Sequence, residues 1–205
     1  MASPRRIGSP EAKNRTVLLD AAERLMLEEG YAAVSSRRVA EKAGLKPQLV
    51  HYYFRTMDEL FLEMFRRRAE EGLRRQAQAL ASSQPLRALW EYSTDSAGTA
   101  FTMEFAALAN HRKELRAQMA RYAEQFRREQ VEGLSEVLGR YGIDTREFPP
   151  LVLMVVMTSL SRVLVMEDAL GLAEGHEETE AFVERWLGRL EGESVPRDQE
   201  GRRPV

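Results

Sequence analysis

The amino-acid sequence predicts an all-α fold. Apolar residues recur at helical spacing through most of the 205 residues. Glycines, prolines and capping residues punctuate these periodic stretches, as they do at helix ends. No stretch shows the apolar–polar alternation, bounded by turns, that is typical of strands. The pattern divides into an N-terminal three-helix bundle, a long fourth helix and a C-terminal helical domain.

The chain begins with a segment that is rich in Pro, Ser, Gly and Arg, residues 1–9, which predicts a flexible arm. Ser9-Pro10-Glu11 then favours a helix start, because it combines a capping serine, a proline in the first turn and an acid near the positive end of the helix dipole. Gly30 follows an apolar periodic stretch and marks its end. The first helix is therefore predicted over about residues 10–29.

Two short helical patterns follow and are joined by a tight turn. Ser35 is the expected N-cap of the second helix, and Gly44 stands where the chain leaves it, at a position that favours positive φ. Pro47 opens the third helix in its first turn, where proline is tolerated. This layout predicts a helix-turn-helix, which presents its second helix to the major groove of DNA.

The remaining chain is predicted to be helical up to a polar tail. Thr56 and Glu59 fit a capping box at the start of the fourth helix, which should run to about Ala81. Residues 192–205 carry Pro and Gly among polar side chains and are predicted to be disordered. The helices between the fourth one and the tail are predicted at about 86–95, 98–109, 112–141, 147–171 and 177–190.

Charge is distributed unevenly along the chain, although the net charge is only −2. Residues 1–56 carry a net charge of +4, and residues 57–205 carry −6. This contrast favours contact of the N-terminal part alone with a polyanion. The chain has no cysteine, and its three histidines are not spaced as helical metal ligands, so neither a metal nor a cofactor is expected.

The N-terminus lacks an apolar segment of signal-peptide length. The most apolar run, Leu151 to Met166, is interrupted by Arg162 and is shorter than the roughly 20 residues that span a bilayer. We therefore expect a cytoplasmic protein without a membrane partner.

The segment from Gly30 to Phe61 resembles the DNA-binding segment of the TetR family of bacterial transcriptional regulators. With the first helix, the resemblance covers about 50 residues. Its elements are Gly30-Tyr31, Ser35, Val39-Ala40, Ala43-Gly44-Leu45, Tyr53-Phe54 and Leu60-Phe61.

The resemblance implies a homodimer that binds a palindromic double-stranded DNA operator, commonly as a repressor, and releases it when a small molecule binds. It places Arg37 on a base edge or a nearby phosphate, and a guanidinium can contact guanine in bidentate fashion. It places Pro47, Gln48, His51 and Tyr52 facing the groove. The remaining positions, implied to contact phosphate, are Ser36, Lys46 and Arg55.

Two residues depart from the family pattern. Met57 stands where a lysine is common at the start of the fourth helix, which removes one phosphate contact, although the backbone N–H groups of that helix start can still bind phosphate. His51 stands where a tyrosine is common in the recognition helix. The operator is therefore expected to be particular to this protein.

The C-terminal domain is expected to bind the effector and to dimerise. Helical bundles hold ligands between their helices, and methionines make such cavities adaptable, so an apolar or aromatic effector is expected. Apolar residues and methionines at helical spacing are also typical of a hydrophobic core that binds no ligand. The candidate lining residues are Trp90, Phe101, Met103, Phe105, His111, Tyr122, Phe126, Met154, Met157 and Ser161.

The dimer is expected to form through the last two helices. The run Leu151 to Met157 is apolar all round, which indicates burial on more than one side. The last two helices of one subunit would pack against the same two helices of a second subunit and form a four-helix interface. The candidate interface residues are Val155, Phe182, Val183, Trp186, Leu187 and Leu190.

The predicted domains are residues 10–56 for DNA binding and residues 57–191 for effector binding and dimerisation. One alternative is a helical binding or scaffold protein with a vestigial helix-turn-helix, which the Met57 departure favours. An all-α enzyme is the other, but the sequence has no evident nucleophile–base pair, paired acids or phosphate-binding glycine loop. We therefore expect a protein that is not an enzyme.

Overall fold

A computed structural model describes residues 13–193. Within this range the chain forms nine α-helices and one short 3₁₀ helix, Tyr31–Ala33, without a strand, so the predicted all-α class is confirmed. The predicted arm, the predicted helix start at Ser9 and most of the predicted tail lie outside the described residues. The helices are α1 (Lys13–Glu29), α2 (Ser36–Lys42), α3 (Pro47–Tyr53), α4 (Met57–Leu80), α5 (Pro85–Ser93), α6 (Ser96–Ala109), α7 (Lys113–Arg140), α8 (Pro150–Ala169) and α9 (His176–Glu191).

Helix α8 is shorter than its prediction at both ends. It begins at Pro150 rather than 147 because Asp144 organises a turn, accepting backbone hydrogen bonds from Glu147 and Phe148 at 3.0 Å. It ends at Ala169 rather than 171 because Gly171 takes φ +77°. Apolar periodicity cannot locate such ends, since capped turns next to a helix also carry apolar residues.

The chain divides into two compact units. The first comprises the residues up to Glu71 together with Ala100–Tyr122, and the second comprises Gly72–Thr99 and the residues from Ala123 onward. Helices α4, α6 and α7 therefore contribute residues to both. The predicted domain bounds at 56/57 stay a prediction.

The core of the first unit packs helices α1 to α3 against the first turns of α4 and the second half of α6. Leu18 and Met26 of α1 are fully buried, as is Leu60 of α4. Phe105 lies within 6.5 Å of Phe61, centroid to centroid, with the rings edge to face. Burial of such side chains, at about 1.5–3 kcal/mol each, fixes the short helices α2 and α3, which would be unstable alone.

The second unit has its own core, formed by α5, α8, α9 and parts of α4 and α7. Leu86, Leu134 and Leu187 are fully buried there. The N-terminus of α5 is bonded to the end of α9, because the carboxylate of Glu191 accepts the backbone N–H groups of Leu86 at 2.8 Å and Arg87 at 3.0 Å. An acid at a helix N-terminus also interacts favourably with the helix dipole.

One side of α8 is apolar and exposed in the isolated chain. Its exposed side chains are Leu151, Val152, Val155, Val156, Val163 and Met166. The helix has 20 residues and a mean hydropathy of 1.7, so by length and composition it is the one helix among residues 13–193 that could span a membrane. The apolar run Leu151 to Met166 is shorter than this helix, which extends beyond it at both ends.

Candidate nucleic-acid interface

The second helix begins with a side-chain cap. Ser35 adopts an extended conformation, and its hydroxyl accepts a long hydrogen bond of 3.5 Å from the backbone N–H of Arg38. This confirms the predicted N-cap, which satisfies one of the N–H groups that lack a partner in the first turn. The cap leaves Arg37, the next residue, exposed at the start of the helix.

The turn between α2 and α3 depends on one glycine. The N–H of Gly44 bonds to the carbonyl of Glu41 at 3.0 Å, and that of Leu45 bonds to the carbonyl of Ala40 at 2.9 Å. This pair of bonds is a Schellman motif, which needs a left-handed residue. Gly44 has φ +65°, as predicted, and open space around it, so its conformation rather than crowding requires glycine.

Helix α3 separates its side chains into an inner and an outer face. Val50 is 1% exposed and Tyr53 is 9% exposed, and both pack into the core of the first unit. Gln48, His51 and Tyr52 are exposed, and 45% of Tyr52 is accessible although it contacts the Tyr53 ring edge-on at 5.0 Å. A row of exposed side chains with hydrogen-bonding groups on one short helix is the arrangement that can read base edges.

The cations near this face differ in whether they are paired. Arg38 donates to both carboxylate oxygens of Glu29 at 2.7 Å, and Lys42 pairs with Glu28. The hydrogen bond from Arg38 lowers the pKa of the Glu29 carboxyl, so the pair persists at neutral pH. The two ion pairs connect α2 to the end of α1.

The cations that the family resemblance places on DNA, unlike Arg38 and Lys42, are not held in ion pairs of the described chain. Arg37, Lys46 and Arg55 are exposed, and none of them makes an ion pair within residues 13–193. Pro47 is exposed in the first turn of α3, as predicted, and Ser36 is half-buried. Seven of the eight candidate DNA contacts are therefore exposed, and Ser36 is the exception.

The start of α4 is capped as the sequence predicts, with one difference. The hydroxyl of Thr56 accepts the N–H of Glu59 at 3.1 Å. The carboxylate of Glu59 returns to the N–H of Arg55 at 2.8 Å, one residue before the expected partner. Met57 is partly buried against the core, which explains its departure from the family lysine: its side chain supplies apolar packing.

Residues 18–64 match the family model described as bacterial regulatory proteins of the tetR family. The chain carries a TetR-family DNA-binding segment. The resemblance drawn from the sequence is confirmed for this segment, and it supports a role in DNA binding. No curated protein matches the sequence.

Solved structures of regulators share the whole fold. A transcriptional regulator from Rhodococcus sp. Rha1 superposes with a TM-score of 0.64 at 23% identity, over 89% of this chain and 99% of that one. A putative TetR-family regulator from a Rhodococcus species gives 0.69 at 17% identity, over 88% and 100%. The fatty acid degradation regulator FadR from Bacillus halodurans gives 0.64 at 17% identity, over 90% and 97%. These likenesses show the fold.

Two polar contacts that the sequence did not predict hold the TetR-type segment to α6 and the α6–α7 turn. The carboxylate of Glu104 accepts the backbone N–H of Tyr31 at 2.6 Å. Arg112 donates to Asp58 in the first turn of α4 at 2.6 Å and lies over the Phe61 ring. The partners are 73 and 54 residues apart, and no local pattern signals such pairs.

The predicted effector-lining residues are distributed over both units. Phe101 and Phe105 belong to the core of the first unit, and their rings stack at 4.5 Å. In the same unit, Met103 and His111 are exposed, and Tyr122 is half-buried, where burial and then the nearby Glu70 carboxylate raise the pKa of its phenol.

The other lining candidates belong to the second unit. Met154 and Met157 are buried in its core, and Trp90 packs against that core. Ser161 is fully buried and donates to the carbonyl of Thr158, while Phe126 is half-buried. Their role in effector binding stays a prediction.

The predicted interface residues also differ in exposure. Val155 of α8 is 45% exposed and Phe182 of α9 is 60% exposed. Val183 and Leu187 are buried in the core of their own chain, at 7% and 0% exposure. The remaining two, Trp186 and Leu190, are half-buried against that core. The exposed apolar surface that a second subunit could contact therefore lies mainly on α8 and at Phe182.

Proposed function

We propose that this chain is a dimeric, cytoplasmic repressor that binds a near-palindromic operator and releases it when a small, mostly apolar molecule binds. The exposed face of α3, with the exposed Arg37 beside it, carries the proposal. Gln48 can pair with adenine through its amide, and His51 and Tyr52 can donate to bases or phosphates. Lys46 and Arg55 would fix the position on the backbone.

Dimerisation is supported by the exposed apolar side of α8. Monomeric soluble proteins rarely expose a contiguous apolar patch of this kind, and such patches mark sites of association. A two-fold axis through α8 and α9 would bury Val155 and Phe182 against their symmetry mates. Two recognition helices about one DNA turn apart then require a palindromic site.

Release would follow if the effector prefers a dimer whose recognition helices do not match that spacing. A ligand can shift this equilibrium only through its different affinity for the two states. Binding of operator and of effector must then weaken each other by the same factor.

A gel-shift titration against DNA upstream of the protein's own gene tests the proposal. We expect a specific complex that protects two symmetrically related half-sites and weakens steeply as salt rises, because phosphate contacts release counterions. A reporter placed behind this DNA should be silenced. A protein that forms dimers but no specific complex on any DNA would instead be the scaffold alternative, with a vestigial helix-turn-helix.

A further inference from the structure

Residues 110–116, which connect α6 to the first turn of α7, form a basic turn within the first unit. The segment carries three cations and one acid, in a part of the chain that is acidic as a whole. Leu108 before the turn and Leu115 within it are buried in the core that also holds α1 to α3. The basic turn is therefore fixed relative to the helix-turn-helix.

Arg112 reaches from the basic turn to the start of α4. Its Nε donates to the carboxylate of Asp58 at 2.6 Å, and its guanidinium lies 5.2 Å from the centroid of the Phe61 ring. An arginine carries five N–H donors, and the four on Nη1 and Nη2 have no hydrogen-bond partner among residues 13–193. The contacts with α4 thus position the guanidinium and leave most of its donors available.

The place that Arg112 reaches belongs to the TetR-type segment. Asp58 lies within the residues that the family model matches, three positions after Arg55, which the resemblance places on phosphate. Met57, where the resemblance expects a phosphate-binding lysine, packs against the core and brings no cation. Arg112 supplies a cation to this same helix turn, although it stands 54 residues after Asp58 in the sequence.

The other two cations of the basic turn differ in their contacts. Arg116 donates to the carbonyls of Ala109 at 3.3 Å and Asn110 at 3.0 Å, and so satisfies acceptors at the end of α6. Lys113 is exposed, and its ammonium group has no hydrogen bond or ion pair in the part of the chain that the structure describes. Arg116 therefore stabilises the turn, whereas Lys113, next to Arg112, presents a second available cation.

We propose that Arg112 and Lys113 contact the phosphate backbone of the bound DNA, so that the DNA-binding surface includes the basic turn. The Nη1 and Nη2 groups of Arg112 donate to one phosphate in bidentate fashion, while Asp58 holds Nε. Lys113 contacts a neighbouring phosphate as a point charge. Such contacts fix the position of the protein and carry no sequence information.

The inference rests on the proposed function, since it requires that the TetR-type segment faces DNA. It extends the contact with a polyanion from the N-terminal part of the chain to a segment that follows α6. It also assigns to Arg112 the phosphate contact that the substitution of the family lysine by Met57 removes.

Salt-dependent binding of the full chain to DNA tests both cations by fluorescence anisotropy. The probes are a duplex from upstream of the protein's own gene and a duplex of random sequence, because phosphate contacts form on any sequence. Arg112→Gln and Lys113→Gln should each weaken binding about 5-fold near physiological salt, the contribution of one phosphate contact. Each should also lower the slope of the logarithm of the binding constant against that of salt by about 0.9. An unchanged slope in either variant would overturn the proposal.

Arg121→Gln is the matched control. Arg121 is an exposed cation of α7 without an ion pair among residues 13–193, and it lies about 12 Å along the helix from Lys113. The variant loses the same charge and should keep both the affinity and the slope of the unaltered chain. An equal fall in slope would show that net charge alone matters, and would contradict the contacts of the basic turn.

A double variant separates the phosphate contact of Arg112 from its ion pair. If Arg112 only balanced the charge of Asp58, Asp58→Asn together with Arg112→Gln would bind DNA as the unaltered chain does. We expect the double variant to bind more weakly and to keep the lowered slope. Recovery of both affinity and slope would rule out a contact of Arg112 with DNA. Lys113→Gln changes only an exposed side chain, so its effect does not come from altered folding.

A cleavage experiment locates the basic turn on the DNA directly. The chain has no cysteine, so Lys113→Cys provides a single attachment point for an iron–EDTA group. The labelled protein, bound to the upstream duplex, should cut the DNA backbone at defined positions, because the radicals act close to the iron. A bound protein that leaves the backbone uncut would overturn the proposal.

The two probes distinguish failure of this inference from failure of the proposed function. Preference for the upstream duplex with unchanged slopes in the variants would overturn the contacts of the basic turn and leave the proposed regulator standing. Equal binding of both duplexes, with lowered slopes in both variants, would support these contacts and count against a specific operator upstream of the gene.

Discussion

The carboxylate of Glu104 accepts the backbone N–H of Tyr31 at 2.6 Å, and so fixes the chain where it leaves α1. Gly30, the preceding residue, has φ +81°, and an added Cβ would lie 3.4 Å from the same carboxylate. The contact joins α6 to the helix-turn-helix within the first unit. It bonds α6 directly to the segment that matches the family model.

Replacement of Glu104 should destabilise the first unit. Hydrogen bonds to charged groups contribute about 1.5–3 kcal/mol, so Glu104→Ala should lower the free energy of unfolding by about that amount in urea titrations. Glu104→Gln keeps an acceptor and should recover about half of the loss. Glu71→Ala, at an exposed glutamate of α4, is the control and should change the stability by less than about 0.5 kcal/mol. A Glu104→Ala protein as stable as this control would contradict the role of the contact.

Two adjacent arginines of α2 should differ in their effect on DNA binding. Arg37 is exposed without an ion pair in the described chain, whereas Arg38 is bonded to Glu29. Arg37→Ala should weaken operator binding by about 1–3 kcal/mol, or about 5- to 150-fold, in fluorescence anisotropy. Arg38→Ala removes the same charge and should weaken binding much less. Equal losses would mean that only net charge matters at this surface.

Substitution of two glycines by alanine should change stability in opposite directions. Gly44 has φ +65°, so Gly44→Ala should destabilise the helix-turn-helix by about 1 kcal/mol. Gly139 lies within α7 with no atom near an added Cβ, so Gly139→Ala should stabilise the chain by about 0.5–1 kcal/mol. Thermal unfolding followed by circular dichroism measures both. A stabilising Gly44→Ala would show that the turn does not need a left-handed residue.

The dimer can be tested with two residues of equal exposure. Val155 on α8 and Met103 on α6 are each 45% exposed. Val155→Glu should give a folded monomer in sedimentation velocity, because a carboxylate would be buried in the interface. Met103→Glu should leave the dimer intact. Trp186 is less suitable for this test, since it packs against the core of its own chain and its replacement would also affect folding.

Local features of the fold were predictable, and long-range ones were not. Ser35, Gly44, Pro47 and Thr56 act within a few residues of their position, so their types alone indicate caps and turns. The inner and outer faces of α3 follow from helical spacing in the same way. By contrast, the bond between Tyr31 and Glu104 joins residues far apart in sequence, and neither residue type signals a partner.

Apolar stripes were harder to interpret, because a stripe does not identify what covers it. Met154 and Met157 have the spacing of a pocket wall, and the structure places them in a core. Val183 and Leu187 belong to the stripe of α9 but are covered by their own chain. Conversely, the burial of Gln76 could not be predicted, since a single glutamine on a charged helix is expected to be exposed.

We propose above that the exposed face of α2 and α3 binds a near-palindromic DNA site. Selection of bound fragments from a random DNA pool by the purified protein tests it most directly. We expect enrichment of one motif with two inverted half-sites about one helical turn apart, and no enrichment by the double variant Arg37→Ala, Gln48→Ala. A pool that remains random with the unaltered protein, or the same motif selected by the double variant, would contradict the account.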